Sequence, residues 1–135
     1  MTKEEITRKY LGVPYIHKGR SLLGLDCYGL VVLVYRDLGI EIPDYEYKEK
    51  WYKNGKDYYI DNYHELWKKV DDLQEWDCIL FKNRSNVVNH VGIYLGDNKF
   101  LQCCEDSPVE VADLTRKYWA KCTYGYFRYK GRSEE

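Results

Sequence analysis

No apolar run in these 135 residues approaches the ~20 that a membrane-spanning helix needs. Neither sign of charge is in excess: a formal net charge of −1 leaves no basic field to draw in nucleic acid or an anionic membrane surface. An apolar export core is missing from the start of the chain, where Met1-Thr2-Lys3-Glu4-Glu5-Ile6 places two carboxylates, and no lipid-attachment signal accompanies it. Synthesis in the cytoplasm without a signal peptide is therefore expected. There is also no Cys-x-x-Cys pair. The five cysteines are odd in number and have no framework spacing, so they read as reduced thiols and not as a zinc site. Repeats, low-complexity tracts and linkers are absent, and the length suits one domain over residues 1–135.

What the chain has in quantity is aromatic surface: fifteen tyrosines, four tryptophans and three phenylalanines. Thr2 and Glu5 form a capping-box pattern for a first helix that stops near Gly12, since Pro14 cannot continue it. Residues 15–25 read as a loop. Asp26 is a good N-cap for a second helix, in which Leu30, Val31, Val34, Tyr35 and Leu38 recur at three- and four-residue spacing, ending at Gly39. This helix is apolar nearly all round, which predicts a central, buried position. Residues 60–70 read as a short amphipathic helix, with Tyr63, Leu66, Trp67 and Val70 on one side. Beyond Asp71 the pattern turns to strands at 78–81, 87–95, 99–104, 109–111 and 123–129. Helices followed by a meander of strands is an α+β layout, with the central helix packed on an antiparallel sheet of about five strands.

Two residues carry the chemistry. Cys27 follows the capping Asp26, and a thiol at a helix N-terminus is stabilised as thiolate by the unpaired N–H groups there. A lone cysteine is ordinarily a small buried hydrophobe. Here Gly29, two residues into the helix, costs about 1 kcal/mol relative to alanine and implies that something approaches closely. His90 lies in a strand, and alternation places it with Gly92 and Tyr94 on one face, Gly92 leaving room beside the imidazole. His17 and His64 read as structural. If the fold brings His90 to Cys27, the pair is a nucleophile and its base. Gln102 on the next strand offers an acceptor oxygen to hold the imidazole tautomer. A three-residue turn at Gly96-Asp97-Asn98, with Asn98 left-handed, pairs position 92 with 102 and sets Gln102 diagonal to His90; a two-residue turn without a compensating bulge would put it on the other face.

At these residues the chain resembles the NlpC family of cell-wall cysteine endopeptidases. The match runs through Leu11-Gly12-Val13-Pro14-Tyr15, Asp26-Cys27-Tyr28-Gly29-Leu30-Val31, Asp72-Leu73-Gln74-Glu75-Trp76-Asp77 and His90-Val91-Gly92-Ile93-Tyr94-Leu95-Gly96 on to Phe100-Leu101-Gln102. The resemblance implies a reduced papain-like fold and cleavage of bacterial peptidoglycan stem peptides between D-γ-glutamate and the diamino acid. It makes Cys27 the nucleophile, His90 the base and Gln102 the third polar residue, with no metal or cofactor required. The residues expected at the substrate are Tyr15, which matches a family tyrosine lining the cleft, and Asp26 and Tyr28, which flank the nucleophile. Tyr28 replaces a small serine and is expected to narrow the cleft or to change which stem end fits, and Lys18-Gly19 replaces a commoner double glycine. The Asp26–Val31 form and the residues Val34-Tyr35-Arg36-Asp37-Leu38-Gly39 look most like phage-tail members, which implies tail proteins as further partners and a place in the virion. Two other readings stand beside this one. The fold can serve as a non-catalytic tail component, with Tyr45, Tyr47, Trp51, Tyr52, Tyr58 and Tyr59 as its contact surface, or Cys–His chemistry can act as an amidase or acyltransferase.

Overall fold

The fold is that of a computed structural model, which describes residues 1–44 and 66–131. Helix α1 (Lys3–Tyr10) begins with the expected capping box: the Glu5 N–H donates to Thr2 Oγ1 (3.1 Å) and the Thr2 N–H to Glu5 Oε1 (2.8 Å). Two short strands, β1 (Arg20–Ser21) and β2 (Gly24–Leu25), pair as a ribbon inside the segment expected to be loop. Helix α2 (Cys27–Asp37) follows, capped by Asp26, whose Oδ1 accepts the Gly29 N–H at 2.7 Å. Every residue from Tyr28 to Tyr35 in this helix is buried, as its all-round apolar character predicts.

Among the described residues the main sheet has six antiparallel strands. They are β3 (Trp67–Val70), β4 (Cys78–Lys82), β5 (Val88–Gly96), β6 (Lys99–Cys104), β7 (Ser107–Asp113) and β8 (Thr123–Tyr129), in the spatial order β3-β8-β4-β5-β6-β7. The layout is α+β, as expected. Strand β3 corrects the helix read over residues 60–70: Trp67 to Val70 pair with Tyr129 to Tyr126 of β8. Residues 60–65 of that reading lie outside the described residues, as do His64 and the aromatics from Tyr45 to Tyr59. Trp67 packs edge-on against Tyr129 (5.3 Å between centroids) and beside Tyr35 (5.7 Å), so cross-strand packing overrides the local three- and four-residue spacing.

The sheet separates two apolar layers. Cys78, Leu80, Val91, Ile93, Leu95, Leu101 and Cys103 face α2 and α1, whereas the alternate residues Ile79, Phe81 and Phe100 pack on the opposite side with Trp119. Trp119 belongs to a six-residue helix, α3 (Lys117–Cys122), which the sequence pattern did not reveal. A buried ion pair ties β8 to the start of β4. Arg128 Nε and Nη2 donate to the two Asp77 oxygens at 2.9 and 2.7 Å, and the Gln74 N–H donates to the same carboxylate. No helix among the described residues is long and apolar enough to cross a membrane.

Candidate active site

The first turn of α2 places Cys27 at the mouth of a cleft of about 340 Å³. Tyr15, His17 and Asp26 line the cleft together with the thiol. His90 and Phe81 from the sheet, Cys104 at the end of β6 with Glu105 after it, and Tyr118 and Trp119 of α3 are among its other walls. His17, read as structural, is thus a cleft residue; its position in a loop without periodicity gave no sign of this.

Asp26 does more than cap. Its Oδ1 also accepts from Arg20 Nη1 (2.9 Å), and its Oδ2 accepts the Lys18 N–H (3.0 Å). Arg20 in turn holds both oxygens of Asp44 at 2.7 Å. One carboxylate therefore gathers the loop ahead of Cys27 onto the helix start. Lys18 takes up a left-handed conformation there (φ 62°), where the family commonly has glycine. The close approach implied by Gly29 is real: a Cβ at that position would lie 2.3 Å from the Gly19 carbonyl oxygen. Tyr28 departs from expectation. Its ring is only 5% exposed, it does not line the cleft, and its hydroxyl donates to the Pro43 carbonyl. Residue 28 follows Cys27 on a helix that is buried all round, so its bulk goes into the core.

His90 stands opposite Phe81 beside a register shift in the β4–β5 ladder, and its ring lies against Phe81 (5.5 Å) and stacks on Trp119 (5.9 Å). Burial holds the imidazole pKa down to about 4, a hydrogen bond with Gln102 offsetting only part of that effect. The ring is therefore neutral at pH 7. His90 Nε2 lies 2.8 Å from Gln102 Oε1. Gln102 is 1% exposed and sends its amide Nε2 to Glu110 Oε2 at 3.0 Å.

The register that permits this contact has the expected outcome by a different route. Ile93 pairs with Leu101 and Tyr94 with Phe100, which carries position 92 opposite 102. The turn itself is two residues, Asp97 and Asn98, both left-handed (φ 52° and 63°), between paired Gly96 and Lys99. A shift between Tyr94 and Gly96 absorbs one residue and restores the parity. The room at Gly92 belongs to a different neighbour than expected: a Cβ there would meet the Phe100 ring at 2.7 Å.

Residues 12–128 match the model of the NlpC/P60 family. Similar proteins include the tail tip assembly protein K of Escherichia phage lambda, 31% identical over 126 residues covering 90% of this chain and 63% of the phage protein. The murein DD-endopeptidase MepS/murein LD-carboxypeptidase of Escherichia coli K12 is 31% identical over 113 residues, covering 82% of this chain and 52% of that enzyme. The crystal structure of an NLP/P60-family lipoprotein-like protein from Staphylococcus aureus superposes with a TM-score of 0.69 at 28% identity, over 94% of this chain and 40% of that one. The chain thus spans about half the length of the relatives it matches.

Proposed function

Since the chain belongs to the NlpC/P60 family, we propose that it is a cysteine peptidase acting on peptidoglycan stem peptides, with Cys27 as nucleophile, His90 as base and Gln102 as the residue that orients the base. The observation that carries this reading is one cleft shared by a helix-start thiol and a neutral imidazole whose Nε2 is held by an amide oxygen. In this mechanism His90 Nε2 donates to Gln102 Oε1, and Nδ1 takes the Cys27 proton. The thiolate attacks the scissile carbonyl carbon, and the charge that develops on its oxygen is met by the first-turn amide of Cys27. The imidazolium then passes its proton to the departing amine, leaving a thioester. Water, deprotonated by the same imidazole, hydrolyses that thioester and regenerates the thiol. Tyr15 forms the cleft wall against which the stem peptide lies, and Asp26 acts through the loop and helix start that it holds together.

The bond we assign is that between D-γ-glutamate and the diamino acid. The coli relative is named for two other bonds, so bond choice rests on the cleft walls and not on the thiol chemistry. Similarity to the lambda tail tip protein supports a place in a phage tail.

Digestion of purified peptidoglycan and of a soluble stem tetrapeptide, with products resolved by mass, tests both parts. Wild type is expected to release a dipeptide and a diamino-acid fragment, and Cys27→Ala to release neither, a loss of at least about 10³-fold. Cleavage by neither protein, both being folded, would reject the enzyme and favour a tail-assembly role. Equal cleavage by both would reject Cys27 as nucleophile.

A further inference from the structure

A primary amide has two faces, and only one serves a histidine base. With its oxygen toward Nε2, Gln102 accepts the Nε2 proton and leaves the Nδ1 lone pair for the thiol. Turned by 180°, its NH2 would donate to Nε2, place the proton on Nδ1 and abolish the base. Nothing in Gln102 itself chooses between these orientations, which are nearly equal in shape.

Two neighbouring groups make the choice, Glu110 and Cys104. Gln102 and Glu110 are directly paired across β6 and β7, and the Gln102 Nε2 lies 3.0 Å from Glu110 Oε2. An ionised carboxylate only accepts, so the turned amide would set its oxygen against Glu110 with no proton between them. The Cys104 thiol also donates to Gln102 Oε1 at 3.5 Å, and burial followed by the charge of Glu110 keeps that thiol protonated. The amide oxygen therefore faces the Cys104 thiol, which has a proton to give, and His90 Nε2, which must then supply one.

We propose that Glu110 is a positioning residue of this site: by accepting from the Gln102 amide nitrogen it locks the amide oxygen toward His90 and so sets His90 in the Nε2–H tautomer. Glu110 does not line the cleft and touches no reacting atom. The chemical consequence rests on His90 being the base, but the tautomer is measurable without substrate.

Long-range 15N correlation spectra of the histidine rings at pH 7, with His90 assigned by its absence in His90→Gln, read the tautomer directly. Wild type is expected to show Nε2–H. Glu110→Gln keeps the shape at a partly exposed position but can accept or donate, so a mixture is expected. Glu110→Lys can only donate, which draws the Gln102 oxygen away and is expected to yield Nδ1–H. On the stem peptide, Glu110→Gln should lower kcat about tenfold with KM unchanged, the scale on which partners that orient an imidazole act. In a Gln102→Ala background the same substitution should change nothing further. An Nε2–H tautomer in all three proteins, or an equal loss in both backgrounds, would overturn the lock. The tautomer series without any wild-type hydrolysis would uphold the lock and sink only the enzymatic reading.

Discussion

At residue 29 two physical effects compete with opposite sign, and distance decides between them. Alanine favours the helix by about 1 kcal/mol over glycine. Against this, its Cβ would fall 2.3 Å from the Gly19 carbonyl oxygen, which is backbone and cannot swing away, and 2.7 Å from the side-chain Nη1 of Arg20. We expect Gly29→Ala to destabilise by about 1–3 kcal/mol, the usual cost of overpacking, and to lower turnover by displacing the loop that Asp26 gathers beside Cys27. A denaturation midpoint at or above that of wild type would show that the loop yields. This position was legible in the sequence, because a glycine inside a helix pattern advertises its own cost. Tyr28 was not: the same helix pattern allows it to face cleft or core, and only the packing around Pro43 decides.

Helix α3 supplies the cover over His90. Trp119 stacks on His90 and meets Phe81 and Phe100 edge-on at 5.0 and 5.3 Å, so one indole closes the smaller apolar layer and half-buries the imidazole. The pH consequence has a definite sign. An unfolded histidine takes up its proton near 6.5, whereas folded His90 resists until about 4. The unfolded state therefore binds more protons between those values, and stability present above pH 6.5 is lost as pH falls toward 4. Trp119→Ala should raise the His90 titration midpoint, read by NMR, and flatten the decline in Tm between pH 6.5 and 4 relative to wild type. A midpoint unchanged at about 4 would place the cause of burial elsewhere. Six residues are too few to display a helical period, and Arg116 at the N-cap makes no side-chain capping bond. That is why α3 was invisible before the fold was known.

Across the whole molecule, the sheet has to hold the β5–β6–β7 register while its other end is built from segments far apart in the chain. The Arg128–Asp77 pair pins that end, joining β8 to the start of β4 across 51 residues, with Asp77 fully buried. Arg128→Met would leave that carboxylate unpaired, and a loss of about 3–5 kcal/mol is expected in chemical denaturation. The double variant Arg128→Met with Asp77→Leu should recover much of it, since neither charge of the pair is then left without the other. Equal losses from single and double variants would mean that the arginine stem, and not the ion pair, supplies the stability.

Caps, periods and alternation act over four or five residues, so they could be read directly. They placed Cys27 at the start of a buried helix and set His90 on one face of its strand, whereas the parity that Gln102 needs came from a register shift between Tyr94 and Gly96 that no local pattern announced. Contacts between distant segments obey no such local rule. The strand at Trp67–Val70, the indole over His90 and the carboxylate opposite Gln102 each depend on how separate strands pair and what then stacks on them. Local patterning singled out the candidate residues, and the assembled sheet decided what each of them meets, because register and cross-strand packing exist only once the strands have met.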